Sequence, residues 1–304
     1  MAQLPASASA HRPQPLRSLL VKILTYALLV FWSLVCLFPL YWIAVTSLKG
    51  DSEIMRGPYY LPFVDFTPSL DAWVSVLDYA NDHLLLRFFN SAVVAVTSTL
   101  LTVLFGGLAV YGLTRFRYAL QWIPALSNDG ILFAILATRI LPPVAVVLPI
   151  YVIALYTGAV DTYFALIFTY TAANLPVAVW LLLPVFGNMA TSQEEAAQLD
   201  GASHFRIFLT IFLPMVAAST AAVGLVIFIL CWNEYLFAAY LTSDKVSTLP
   251  AWIMGQMSIK EAQVGGDGDE WPQLSAAMIF MIAPLLACTA FAQRVLGRMA
   301  LRNR

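Results

Sequence analysis

Six long, mostly apolar runs dominate the chain, at about 23–47, 88–112, 130–154, 162–186, 213–240 and 273–293. An α-helix rises about 1.5 Å per residue, so roughly 20 apolar residues cross the hydrocarbon core of a bilayer. Hydrophobic residues make up 61% of the chain and charged residues 11%, against about 45–50% and 25% in soluble domains. An excess of that size cannot be hidden in one soluble core of this length. The expectation is an all-α membrane protein with six spans. The first run is too long for the apolar region of a secretory signal, and no small-x-small cleavage site follows it, so it reads as a retained helix.

The flanking charges set an orientation. One set of segments carries Arg12, Arg17, Lys22, Arg115, Arg117, Arg206, Arg294, Arg298, Arg302 and Arg304. The opposite set carries only Lys49, Arg56, Arg87, Lys245 and Lys260, together with most of the acids. Basic residues favour the cytoplasmic side, which puts both termini there along with the connection at 187–212. The formal net charge is −1, so no global field attracts nucleic acid.

Residues 1–18 are rich in Ala, Ser and Pro and read as a disordered tail ahead of one membrane domain over 19–304. The external loop at 49–87 contains Pro58, Pro62 and Pro68, with an amphipathic surface helix expected over 69–85. A tight turn is expected at 158–161, a cytoplasmic connection at 113–129, and a second external loop at 242–272. Pro142, Pro143 and Pro149 mark the third run, and Pro176 and Pro184 the fourth. Proline in a membrane helix frees backbone carbonyls and kinks the helix; these positions are either structural bends or pivots along a path. Cys36, Cys231 and Cys288 lie in apolar runs without metal-like spacing and read as small buried hydrophobes. His11, His83 and His204 are isolated. The 265–269 loop fails the spacing of a calcium-binding EF-hand. No Gly-x-x-x-x-Gly-Lys phosphate loop occurs anywhere in the chain.

Between the fourth and fifth runs lies a polar island, Glu194-Glu195-Ala196-Ala197-Gln198-Leu199-Asp200-Gly201. Ser192 and Glu195 have capping-box spacing. Glu194 and Glu195 fall in a first helical turn, where negative charge complements the helix dipole. Gly201 is placed to end that helix in a left-handed cap. A second helix is expected from about Ala202 into the fifth run, with Phe205 and Phe208 on one apolar face.

The spacing Glu195-Ala196-Ala197, three residues, Gly201, nine residues, Ile211-x-Leu213-Pro214 resembles the cytoplasmic loop of permease subunits in bacterial ABC importers. Asp200 beside Gly201 is similar to the sugar-importing branch. Trp232-Asn233-Glu234, Arg139-x-x-Pro142-Pro143, and Gln293-Arg294 with Gly297 resemble other elements of that branch, and the six spans are similar to its smaller, maltose-type permease. The chain departs from the pattern at Ala190 and Thr191, where the family usually has a proline, and in the tail after Gly297. The resemblance covers roughly 20–297.

It implies a six-span permease bundle of the type I importer class in a bacterial inner membrane. It further implies a second homologous permease, two ATP-binding subunits that hold ATP and Mg, and an extracytoplasmic sugar-binding protein. The chain itself would be a transporter subunit without an ATPase site and without a bound cofactor or metal. ATPase coupling would fall on Glu194, Glu195, Ala196, Ala197, Asp200, Gly201, Ile211, Leu213 and Pro214.

Two charged residues, Arg139 and Glu234, fall inside apolar runs, where a charge faces a bundle interior or water. They form an interhelical clamp, with each other or with proline-freed carbonyls, or else they line a sugar path with Asn174, Trp232, Asn233 and Tyr235. The alternative from another class is an ion-coupled secondary transporter, which commonly carries inverted repeats; none is evident in the sequence.

Overall fold

A computed structural model describes residues 15–54, 56–78, 84–118, 127–189, 192–255 and 271–302. The tail at 1–14, the connection at 119–126, Ala190 with Thr191, and the 265–269 loop lie outside these residues. In chain order the helices are α1 (Pro15–Thr46), α2 (Asp51–Ile54), α3 (Asp71–Asp78), α4 (Leu84–Arg115), α5 (Asn128–Ala137), α6 (Pro143–Thr157), α7 (Tyr163–Gly187), α8 (Ser192–Leu199), α9 (His204–Ile207), α10 (Leu213–Trp232), α11 (Leu236–Leu241), α12 (249–255) and α13 (Trp271–Arg302). Five stretches are long and apolar enough to cross a membrane, and α5 with α6 supplies a sixth if that bent pair counts as one span.

The bend corrects the expectation of one continuous span over 130–154. Asn128–Ile140 and Pro143–Thr157 meet at 92°. A residue before proline is pushed out of the helical region, and a proline offers no N–H to the turn behind it. Two consecutive prolines apply both effects twice: Leu141 has ψ 128° and Pro142 has ψ 132°. The fifth span also differs from 213–240. Its helix starts at His204, passes through a wide π turn at Phe208–Phe212, and stops at Trp232 before resuming as α11. In the wide turn the Leu213 amide reaches back to the Phe208 carbonyl, which accommodates the ring of Pro214.

The core is built by α4, α7 and α10. Val94, Val110, Leu166, Leu182, Phe186, Phe212 and Ile227 are all fully buried there. Close approach of α4 to α7 depends on a small residue: a Cβ on Gly106 would stand 3.0 Å from that of Ala178. By contrast α1 is exposed from Ser18 to Tyr41 and touches the rest of the chain mainly through α13 and its own C-terminal end. Cys36 is therefore exposed on that helix, not buried as expected; Cys231 is buried and Cys288 half-buried.

The 49–70 segment folds back on the end of α1. The Tyr41 hydroxyl donates to the Tyr60 carbonyl at 2.6 Å, and the Lys49 ammonium lies 4.4 Å from the centre of the Trp42 ring. Burial lowers the Lys49 pKa, against the raising influence of Glu53 and Asp65.

Candidate functional site

The polar island folds as α8, a left-handed turn, and α9. Glu194 and Glu195 both lie in the first turn of α8. Gly201 has φ 80°. Its amide donates to the Gln198 carbonyl at 3.0 Å, and the Ala202 amide donates to the Ala197 carbonyl at 3.0 Å. This is the paired pattern of a Schellman cap, and it carries out the helix stop expected of Gly201. The hydroxyl of Ser203 then caps α9 by accepting the Arg206 amide.

The side chains of α8 sort onto two faces. Glu195, Ala196, Gln198, Leu199, Asp200 and Gly201 are exposed, Leu199 at 90%. Ala197 is half-buried, and Glu194 is only 3% exposed. Glu194 turns inward to Arg115 at the C-terminal end of α4. Nε of Arg115 donates to both carboxylate oxygens at 3.0 Å, and Nη2 donates to Oε1 at 2.8 Å. Nη1 of the same guanidinium donates to the Phe186 carbonyl at 3.4 Å, and the group lies 5.2 Å from the centre of the Phe212 ring. Phe186 and Phe212 meet at 4.6 Å between ring centres, and Tyr111 meets Phe208 and Phe212 at 5.1 and 5.2 Å. Removing one member of such a pair strands a buried charge, at a cost of about 3–5 kcal/mol.

Glu194 therefore spends its charge inside its own chain, whereas the resemblance placed it among the groups offered to a partner. Ile211 and Leu213 are half-buried at the start of the fifth span, and Pro214 is exposed beside them. Phe205 and Phe208 do not share one apolar face as expected. Phe205 is 64% exposed and Phe208 is 2% exposed; Phe205 lies on the single turn of α9, whereas Phe208 opens the wide turn after it and packs on Tyr111. Arg115 was legible only as one basic flank among several. Nothing in the local sequence joins it to a carboxylate 79 positions away.

The intramembrane residues separate into two groups. Asn174 and Trp232 are buried in the core. The Asn174 amide donates to the Tyr170 carbonyl at 2.9 Å, and the Trp232 indole donates to the Met281 carbonyl at 2.9 Å. The first bond stays within α7, and Asn174 reaches α10 through the Cys231 Sγ at 3.5 Å, whereas the Trp232 indole bridges α10 to α13. Asn233, Glu234 and Tyr235 occupy the break between α10 and α11, where the Glu234 carboxylate accepts the Phe237 amide at 3.1 Å. Arg139 lies just before the proline bend, and its Nη1 donates to the Ala173 carbonyl at 3.1 Å, next to the Ala172 carbonyl that Pro176 leaves without its helical donor. Among the described residues Arg139 and Glu234 do not pair with each other; Arg87–Asp244 and Arg115–Glu194 do form ion pairs. Arg139, Thr169, Pro176 and Phe237 border a cavity of ≈560 Å³ between α5, α6 and α7. Among the described residues no cluster of His, Cys, Asp or Glu could hold a metal ion.

A polar knot missed by the sequence reading lies at the other end of α4. Asp161, in the turn between α6 and α7, has φ 60°. Its carboxylate accepts the amides of Ser243, Asp244, Lys245 and Val246 at 3.3, 3.3, 3.0 and 3.1 Å, and the Ser243 hydroxyl at 3.0 Å. Burial works to raise its pKa, but the four amides outweigh it and bring the value to about 2. Buried Arg87 pairs with Asp244 at 2.6 Å and also donates to the Asp244 carbonyl. Asn90 donates to the Lys245 and Ser247 carbonyls, and the Leu249 amide donates to the Ser91 hydroxyl at 2.7 Å.

The chain is similar to named transport proteins over most of its length. The sulfoquinovosyl glycerol transport system permease SmoH of Agrobacterium fabrum is 30% identical over 263 residues, 86% of each chain. The trehalose/maltose transport system permease MalG of Thermococcus litoralis is 29% identical, over 87% of this chain and 90% of that one. In fold, the chain is similar to a chain in the crystal structure of a bacterial ABC transporter involved in import of the acidic polysaccharide alginate. The TM-score is 0.70 at 20% identity, covering 96% of this chain and 99% of that one. These likenesses give no support to the ion-coupled alternative. Residues 95–301 match the family described as the binding-protein-dependent transport system inner membrane component, and the chain belongs to that family.

Proposed function

We propose that this chain is the permease subunit of an ATP-driven importer for a carbohydrate and forms half of the translocation path. A second, homologous permease supplies the other half. Two separate subunits bind ATP and Mg, and the chain has no ATPase site of its own. The observation that carries the reading is α8: a short capped helix on the family-matched segment, outward-facing at Glu195, Ala196, Leu199, Asp200 and Gly201 and anchored inward through Glu194. That exposed surface seats on the ATPase.

The α8 end then faces the cytoplasm, as the basic flanks suggest. An extracytoplasmic binding protein meets the opposite end, where the knot around Asp161 holds the loop that follows α11. The exposed length of α1 and the rim of the cavity near Arg139 face lipid or the second permease. ATP-driven closure of the ATPase shifts the bundle between inward-open and outward-open states. The printed names of the relatives include trehalose and maltose, sulfoquinovosyl glycerol, and melibiose, raffinose and stachyose; a glycoside is their shared chemistry and the class assigned to this chain.

Reconstitution with candidate ATPase, permease and binding-protein partners over a panel of sugars tests the reading. One sugar should stimulate ATP hydrolysis and enter the vesicles. Stimulation that persists after residues 194–201 are scrambled would remove the docking assignment.

A further inference from the structure

We infer that Arg115 is a positioning residue for energy coupling, the junction through which a displacement of α8 reaches α4, α7 and α10 together. The inference rests on the importer reading above and adds to it the internal path of the load.

Eight residues form α8, and only Glu194 among them is fully buried. Little apolar packing therefore ties this helix to the bundle, and its attachment is polar. A bidentate guanidinium–carboxylate pair fixes orientation as well as distance, unlike a single point-charge contact. The remaining faces of the same planar group are also taken: Nη1 meets the last turn of α7 at the Phe186 carbonyl, and the plane lies against Phe212 in the wide turn that opens the fifth span. One side chain thus touches the helix that docks and the ends of three spans. The wide turn at Phe208–Phe212 is bonded to the fifth residue back, and such turns recur at functional sites. Glu194 and Glu195 then have separate work, the first pulling inward on Arg115 and the second facing outward on α8.

The test uses the complete importer in proteoliposomes, with the sugar identified from the panel. The double variant R115M/E194M removes both charges and keeps comparable side-chain volume, so neither partner is left as a stranded buried ion. R115K keeps the charge and loses the fork. Recovery of intact complex, ATP hydrolysis and sugar uptake are measured together. The double variant is expected to be recovered as a complex but to lose about tenfold in sugar imported per ATP hydrolysed. R115K should fall between it and the unmodified chain. Import per ATP within about twofold of the unmodified chain overturns the inference. Failure of the double variant to assemble also overturns it, because the pair is then only a structural clamp. If the unmodified complex shows no sugar-dependent hydrolysis with any partner set, the fault lies in the importer reading itself.

Discussion

The Asp161 carboxylate accepts the Val246 amide at 3.1 Å across 85 positions of sequence, and three neighbouring amides converge on the same group. One carboxylate in the α6–α7 turn thereby organises the loop after α11. A hydrogen bond to a charged acceptor contributes about 1.5–3 kcal/mol, so several sharing one half-buried carboxylate hold this loop firmly. Asn tolerates the left-handed backbone that Asp161 adopts, whereas Ala does not. D161N removes the charge and turns one acceptor oxygen into an NH2 that faces N–H donors, so it should loosen the loop by about 2–3 kcal/mol, and D161A, which keeps no acceptor and adds left-handed strain, should cost about 1 kcal/mol more. Limited proteolysis within 242–248 reads the loosening; equal cleavage rates for the two variants would remove the strain component.

The same carboxylate gives a pH signature. Its pKa is depressed from 3.8 to about 2. A depressed folded-state value means that the stabilisation is complete above the ordinary carboxyl pKa and is lost as pH falls toward 2. Half-exposure and screening reduce the contribution to about 1 kcal/mol. Melting of the detergent-solubilised chain should therefore fall more steeply between pH 4 and about 2 for the unmodified chain than for D161N. Parallel curves would show that the amides do not favour the charged form.

Arg87 and Asp244 form an asymmetric pair, with side-chain exposures of 4% and 82%. Loss of Asp244 removes a solvated partner and leaves its backbone carbonyl as an acceptor for Arg87. Loss of Arg87 empties a buried site and removes the donor to the Asp244 carbonyl. D244A should cost under about 1 kcal/mol and R87A about 2–4 kcal/mol, both measured by thermal unfolding. Equal costs would mean that the surface carboxylate dominates the contact.

The presence of five to six membrane-length apolar helices and the Gly201 stop were legible because each follows from a local rule: apolar length against bilayer thickness, and glycine after a helix. The 92° bend was legible only as a site of bending. Pro142 and Pro143 say where backbone bonds are missing, whereas the angle depends on where α5 and α6 find packing against α7 and α11. Arg115 with Glu194, and Asp161 with 243–246, were not legible at all. Each joins segments roughly 80 positions apart, and no periodicity or cap encodes such a partner. Asn174 and Trp232 read as path residues because polar and aromatic groups in a span suit a sugar; the structure buries both, Asn174 against the Tyr170 carbonyl of its own helix and the Cys231 Sγ, and Trp232 against the Met281 carbonyl.

If the two prolines cause the bend, restoring their amides should release it. P142A/P143A lets residues 142 and 143 donate to the carbonyls of Thr138 and Arg139. The ends of the bent pair, separated by about 30 Å at a right angle, should move to about 44 Å in one straight helix. Spin labels at Asp129 and Thr157 measure this. An unchanged distance assigns the bend to packing against α7 and α11 and not to the missing amides.

Gly201 separates two causes that usually coincide. Its φ of 80° strains any residue with a Cβ, yet among the described residues nothing beyond its two chain neighbours lies within 4 Å of where that Cβ would stand. G201A should therefore cost the free subunit only the left-handed penalty of about 1–2 kcal/mol, and G201N less, because Asn accepts that region. In the assembled importer a second effect enters if the ATPase approaches this turn closely. Both variants should then lose stimulated ATP hydrolysis to a similar extent, despite their different costs in the free subunit. Hydrolysis that falls with G201A and is retained with G201N would instead assign the glycine to chain conformation alone and leave the ATPase contact to Glu195, Ala196 and Leu199.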